Sequence, residues 1–349
     1  MSQSPTYQPL RLSVIIPALN EAQVIARAIE SVYDRAVRQR AAVESLRPSC
    51  EQSLVLHEVL LVDGGSVDDT CSRAKRLAQR SAYKNFRIVH LPSTQRTCRA
   101  NQQNWGARLA QGDILLFLHA DTTLPFQYPQ VIARTLGLIQ TNTSGESKAR
   151  MRHPALGAFS LEFTESSWVL RLVAWGANLR SRLFRAPYGD QGIFLRKQTF
   201  QDLEGFPADW PLLDDVALGH RALRRFGWGN ACRIAPEHVQ TSARRYQKLG
   251  VLNTVLLNQC ILLGFALGVP VDALARWYRA PRTLIRDALL WTHKHENLSP
   301  AVTLRLRRPS PTEAFTVARE MQAHHRAWIS IPSIFHQNGA AQEKPTASA

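Results

Sequence analysis

The chain has 349 residues, of which 43 are Lys or Arg and 27 are Asp or Glu, giving a formal net charge of +16, and 45% are hydrophobic with 8 Trp and 13 Phe. That much apolar and aromatic surface requires a packed core and excludes a disordered basic tail that merely coats polyanions; the length favours one large domain with appendages over three small ones. The charge implies an anionic partner, whether nucleic acid, nucleotide phosphate or an acidic membrane surface, without choosing among them.

Residues 1–10 are polar, contain two prolines and show no secretory signal, so a flexible N-terminus is expected. Leu12–Pro17 (LSVIIP) reads as a buried strand, and Asn20 can cap a following helix that lines up Ile25, Ala28, Ile29 and Val32 on one face. Glu58–Val62 is a second strand ending in Asp63-Gly64-Gly65-Ser66, and Ser66 with Asp69 predicts a helix start running to about Ala82. Phe86–Leu91 is a third strand, Arg99–Ala110 a helix stopped by Gly112, and Ile114–Leu118 a fourth strand. Continuous apolar strands alternating with helices predict a parallel sheet covered on both faces, with ligands at the carboxyl ends of its strands.

In the second half, Leu156–Phe163 reads as a strand. Trp168, Leu172, Trp175, Leu179 and Leu183 then form one helical stripe flanked by Arg171, Arg180, Arg182 and Arg185. Such a stripe reads first as core, and second as an interface-bound helix. Asp190-Gln191-Gly192 leads into a short strand, Ile193–Arg196, and Asp214-Asp215 opens a helix ending near Phe226, where carboxylates also suit the helix dipole. Val37–Leu56 and Gln140–Pro154 read as insertions forming exposed loops or extended helix ends. Val251–Pro270 is the most apolar long window, but Asn253, Thr254, Asn258 and Gln259 interrupt it, favouring a buried or interface-lying helix over a membrane span. The cysteines, Cys50, Cys71, Cys98, Cys232 and Cys260, form no Cys-x-x-Cys pair, so neither a disulfide framework nor a zinc site is indicated.

The polar residues just after the strands carry the functional signal. Asn20-Glu21 follow strand one, Asp63 follows strand two, and His119-Ala120-Asp121 follow strand four, so metal-competent groups converge on one rim. Alone, Asn20 reads as a cap and Asp63 as a turn residue; their repetition at one edge favours a site.

Six segments occur in order: SVIIPALNEA (13–22), EVLLVDGGSVDDT (58–70), CRANQQNWGARLAQGDILLFLHADTTLP (98–125), PYGDQGIFLRK (187–197), PLLDDVALGHRALRRFG (211–227) and TSARRY (241–246). This ordered set resembles the family 2 glycosyltransferases over Leu12–Tyr278. Within them it looks like the bacterial radical-SAM and selenodomain-associated subgroup, also labelled arsenosugar-biosynthesis glycosyltransferases. The resemblance implies an α/β GT-A fold, with a Rossmann-like nucleotide-binding half, a mixed central sheet and a helical C-terminal extension. The implied boundaries are a GT-A domain over 11–247, the extension over 248–335 and a disordered tail over 336–349. It further implies a nucleotide-diphosphate-sugar donor, in first place a UDP-sugar, a divalent metal (Mn2+ or Mg2+), and transfer with inversion.

The same resemblance assigns roles. Pro17, Asn20, Glu21 and Asp63 fall at the nucleotide pocket, where a carboxylate can accept bonds from an imide N–H or ribose hydroxyls. Asp121 matches the last carboxylate of the family's Asp-x-Asp motif, but His119 stands at its first position, a departure. A neutral imidazole there either binds a metal such as Mn2+ or contacts the pyrophosphate. Arg99 is expected on the phosphates or, alternatively, paired with a surface carboxylate. Asp214-Asp215 match the family's Glu-Asp pair, with Asp215 as the general base; Asp190, Arg244 and Arg245 are candidates for the acceptor side and the diphosphate. The Gln-x-x-Arg-Trp of processive synthases is absent from TSARRY, which favours transfer of a single sugar.

A dinucleotide enzyme would carry Gly-x-Gly-x-x-Gly where this chain has Pro-Ala-Leu-Asn-Glu, and the basic residues are too dispersed for a recognisable nucleic-acid module. The rival reading is a basic membrane-surface or nucleic-acid-binding protein on a degenerate, non-catalytic GT-A fold. The acceptor is left open between a small molecule and a lipid, and the expected location is cytoplasmic, with peripheral contact at the inner face of the plasma membrane.

Overall fold

Strand β1 (Leu10–Ala18) is buried from Leu12 onward because both its faces are covered. Leu12, Val14 and Ile16 enter one core with Ile25, Ile29 and Val32 of helix α1 (Ile25–Ser45), while Ile15 points into the opposite core. The computed structural model describes residues 8–45, 54–138 and 153–280. Along these, α1 is followed by β2 (Leu54–Asp63), α2 (Thr70–Ala78), β3 (Phe86–His90), α3 (Arg99–Leu109), β4 (Ile114–Phe117), the two-residue β5 (Thr122–Thr123) and α4 (Tyr128–Thr135). Then come β6 (Leu156–Phe163), α5 (Trp168–Phe184), a 3-10 turn at Gly189–Gln191, β7 (Ile193–Arg196), α6 (Lys197–Asp202), α7 (Asp214–Phe226) and α8 (Trp228–Ala231). Strand β8 (Cys232–Thr241) and helices α9 (Arg244–Leu249), α10 (Val251–Ala266) and α11 (Val271–Arg279) complete the series.

One eight-stranded sheet runs β3-β2-β1-β4-β7-β6-β8-β5. The first four strands are parallel, as their apolar runs predict; β7 then lies antiparallel to both β4 and β6, β8 runs parallel to β6, and β5 pairs antiparallel with the end of β8. The fold is therefore α/β with a Rossmann-like half and a mixed central sheet. Helix α3 lies close on β1 and β2 because Gly106 leaves room: a Cβ there would stand 2.5 Å from Ile15 Cγ2 and 3.0 Å from Val62 Cγ2.

Two compact units divide within α10, the first ending at Gln259 and holding the whole sheet, the second beginning at Cys260 and containing α11. Among the described residues no helix is long and apolar enough to cross a membrane. The described cysteines Cys71, Cys98, Cys232 and Cys260 are free thiols. The expectations for residues 1–7, for 281–349 and for most of 139–154 lie outside the described residues, as does 46–53 of the first insertion, whose ends join α1 and β2.

Three local expectations are corrected. Asn20 does not cap α1, which starts at Ile25; its Oδ1 accepts a bond from Val67 N (2.9 Å), tying strand β1 to the loop before α2. Ser66 does not begin α2, which runs only from Thr70 to Ala78, because its N–H donates to Asp63 and its Oγ accepts from Asn20 N. The α5 stripe is not core. Trp168, Leu172, Trp175, Leu179 and Leu183 are 71%, 58%, 62%, 40% and 54% exposed, and the helix buries Leu170, Ala174, Asn178 and Ser181 instead. The polar residues on that inner face are satisfied there: Asn178 accepts from Leu161 N (2.7 Å) and donates to Leu161 O (2.9 Å), splicing α5 onto β6.

Candidate active site

Asp63 ends β2 at the sheet's carboxyl edge, buried, where it accepts bonds from Gly65 N (3.0 Å), Ser66 N (3.2 Å) and His90 Nδ1 (3.3 Å). Burial works to raise its pKa, but the bonds from Ser66, Gly65 and His90 outweigh it and hold the carboxylate ionised below its ordinary range. Pro17 sits beside it in the sheet, opposite Val62, and is buried. Glu21 is anchored through its backbone, whose N–H donates to Thr70 Oγ1 (2.8 Å).

The second group of charges assembles from four elements. Arg99, first residue of α3, donates through Nε (3.2 Å) and Nη2 to the two carboxylate oxygens of Asp214, a fork-to-fork pair, and through Nη2 to Asp215 Oδ2 (3.3 Å). Its Nη1 lies 3.1 Å from His119 Nε2. Since a guanidinium can only donate, His119 Nε2 accepts and the imidazole is neutral; burial, then Arg99, push its pKa down to about 4. Arg99 is thus paired with a buried carboxylate of the rim, not with a surface one. Asp214 and Asp215 open α7 and are both buried. Asp215 Oδ1 accepts from Val216 N (2.8 Å) and Oδ2 from Gly189 N (2.6 Å), so both oxygens are fixed in direction. Only glycine fits at 189, where a Cβ would stand 2.6 Å from His119 Nε2.

Asp190 follows in the same 3-10 turn with Oδ1 buried and unbonded. Burial pushes its carboxyl up to about 6, with Arg180 opposing the shift. Arg180, on the inner side of α5, stacks over the Tyr188 ring at 3.2 Å from its centroid, and burial lowers its pKa to about 10, still cationic at neutral pH.

The third group forms where β5 meets β8. Thr122 pairs with Thr241, so the residues on either side, Asp121 and the turn into α9, are held together. Arg244 Nη2 there reaches both Glu21 Oε2 (2.8 Å) and Asp121 Oδ2 (3.1 Å). Burial raises the Glu21 pKa, against Arg244. Arg245 follows in the first turn of α9, half-buried. A cleft of about 400 Å³ opens beside Asp121 and Ser242, reaching Ser31 and Asp34 of α1 and Glu165.

Two carboxylate oxygens converging on a single cationic nitrogen are a hard-oxygen set suited to Mg2+ or Mn2+, so Asp121 and Glu21 fit a divalent cation. His119 offers a softer ring nitrogen beside them, its Nε2 engaged by Arg99 as the two carboxylates are engaged by Arg244. A separate grouping, Asp63, Cys71 and His90, brings a carboxylate oxygen, a sulfur and a ring nitrogen within 4.8 Å of one another; nothing in the spacing of these residues along the chain announces it. Sequence reasoning also missed Arg180 and Gly189. Arg180 was visible only as one of four arginines flanking a stripe, and Gly189 only as the residue before Asp190.

Residues 13–144 match the model of the Glycosyl transferase family 2. The matched segment runs from β1 past α4 and carries Pro17, Asn20, Glu21, Asp63, Arg99, His119 and Asp121. No curated protein matches the chain. Among solved structures it is similar to the mannosyltransferase PcManGT from Pyrobaculum calidifontis in complex with GDP-Man and Mn2+, with 20% identity, 93% of this chain and 86% of that one covered, and a TM-score of 0.47. It is also similar to S. aureus TarS 1-349 in complex with UDP-GlcNAc, with 16% identity, 67% of this chain covered and a TM-score of 0.43; this chain spans 59% of that one's length. For glucosyl-3-phosphoglycerate synthase from Mycobacterium tuberculosis, in complex with Mn2+, UDP and glucosyl-3-phosphoglycerate, identity is 22%, coverage 72% and 80%, and the TM-score 0.42.

Proposed function

We propose that the protein is an inverting GT-A glycosyltransferase that moves a single sugar from a nucleotide-diphosphate sugar, in first place a UDP-sugar, to a small-molecule or lipid acceptor. The family match over residues 13–144 supports the transferase class, and the six ordered segments support the radical-SAM and selenodomain-associated subgroup. The observation that carries the chemistry is Asp215, a carboxylate whose two oxygens are each fixed by a backbone N–H at the rim that also gathers Asp121, Glu21 and Arg244. Inversion in one displacement needs such a base, aimed before the acceptor arrives, to take the hydroxyl proton.

In this reading Pro17, Asn20, Glu21 and Asp63 hold the nucleotide. Asp121, with His119 beside it, holds Mn2+ or Mg2+, which when bound neutralises the diphosphate leaving group. Arg244 and Arg245 face the diphosphate, and Asp190 the acceptor side. Asp214 stands with Asp215 as the catalytic pair, and Arg99, which donates to both, contacts the donor phosphates. The +16 charge supports a cytoplasmic protein in peripheral contact with the anionic inner face of the plasma membrane.

Replacing Asp215 by Asn removes the base while keeping the side chain's shape. Transfer is expected to fall about 10²- to 10⁴-fold, with stabilisation by UDP and Mn2+ retained in thermal unfolding. Turnover close to that of the native chain would remove the assigned role. A donor screen across UDP-, GDP- and dTDP-sugars, read as metal-dependent hydrolysis, identifies the base of the donor.

A further inference from the structure

Among the described residues, the outer face of α5 holds the largest run of exposed apolar side chains on one element: Trp168, Leu172, Trp175, Leu179 and Leu183, from 40% to 71% exposed. A contiguous stripe of this kind on a folded body marks a surface that meets something other than water. We propose that this face docks the protein on an anionic lipid bilayer.

Three observations select that occupant. The helix contains three arginines and no acidic residue, and Arg171 is exposed beside the stripe while Arg182, which donates to Ser160 Oγ (3.0 Å), keeps its side chain partly exposed, so its charge complements acidic lipid head groups. Tryptophan, apolar in body with one polar N–H, favours the boundary between head groups and acyl chains. The inner side of the same helix is joined to the catalytic rim: Ser181 Oγ donates to Gln191 Oε1 (2.6 Å), and Arg180 stacks on Tyr188, the residues that bracket Gly189 and Asp190. A helix only about 10 Å across therefore separates the proposed lipid surface from the turn whose N–H holds Asp215. The use of the docking, presenting a lipid acceptor's head group to that carboxylate, rests on the transferase reading; the docking itself does not.

The test is flotation of the full chain with phosphatidylcholine vesicles, with and without phosphatidylglycerol, alongside quenching of tryptophan fluorescence by bromine-labelled acyl chains. The native chain is expected to bind the anionic vesicles at least about tenfold more tightly than the neutral ones, and to be quenched. The W168S/W175S double variant should bind them about tenfold more weakly or worse and lose part of the quenching. Arg171→Glu, which leaves the apolar stripe intact, should weaken only the anionic binding. Unchanged melting of the variants, and unchanged stabilisation by UDP with Mn2+, establish that they are folded. Failure to float, or equal flotation of the double variant, overturns the proposal. So does a native dimer in sedimentation velocity that the double variant dissociates, since a second copy then covers the face. Vesicle binding without hydrolysis of any nucleotide sugar would instead sink the transferase reading and leave the docking standing.

Discussion

Arg99 meets Asp214 with two donors and touches Asp215 and His119 besides, so its removal strands a carboxylate that is almost wholly buried. Arg99→Ala is expected to lower the unfolding free energy by about 3–5 kcal/mol, and Asp214→Asn in the same chain to recover part of that loss, as measured by urea denaturation of both single variants and the double. Asp190 supplies a pH signature. Burial moves its carboxyl from 3.8 up to about 6, so across that interval the folded chain keeps a proton that the unfolded chain releases. Its contribution is complete below the lower value and is lost as the pH rises through the upper one. The unfolding free energy of the native chain relative to Asp190→Asn should therefore fall, by up to about 3 kcal/mol, between about pH 4 and about pH 7. Arg180 stays charged throughout this interval, so its altered pairing in the variant shifts the baseline and not the slope. The residues themselves were legible in sequence because each lies directly after a strand or opens a helix. Their partnerships were not, since Arg99 and Asp214 are brought together only by folding across more than a hundred residues.

The elements were legible where one physical signal dominates. β1, β2 and β4 carry continuous apolar runs over 14–18, 59–62 and 114–117 because helices cover both their faces, and no competing pattern obscures them. α5 was legible as a helix but carries two stripes; the larger side chains drew attention, whereas the inner stripe of Leu170, Ala174, Asn178 and Ser181 is the one that packs. β8 was not foreseen at all. It contains Pro236, and between Ala158 and Ser160 of β6 its register jumps from Ile234 to His238, so the proline sits in a bulge where no ladder bond is needed. β5 is too short to leave any pattern. The packing of α3 on β1 gives a prediction at this scale: Gly106→Val should lower the unfolding free energy by about 1–3 kcal/mol, because even its Cβ meets Ile15 and Val62 at less than or about van der Waals contact. A variant as stable as the native chain in chemical denaturation would mean that α3 can lift from the sheet without loss.

For the whole molecule, the opening excess of positive charge divides by place. Arg99, Arg180 and Arg244 are committed to carboxylates and a ring within the rim, Arg182 reaches from α5 to Ser160 of β6, and Arg171 is exposed on α5. UDP with Mn2+ is expected to raise the melting temperature of the intact chain, whereas random-sequence DNA should not; salt-sensitive DNA binding with no nucleotide effect would favour the rival reading. The order of the sheet has a further consequence. The family-matched stretch stops at residue 144, yet β4, which lies inside it, takes its second neighbour from β7 at Ile193–Arg196. A fragment cut at the family boundary would keep Asp63 and Asp121 but present a bare, wholly apolar strand edge to its surroundings, a template for sheet-to-sheet association. The family-matched stretch and the unit that covers the β4 edge are thus different lengths of the same chain.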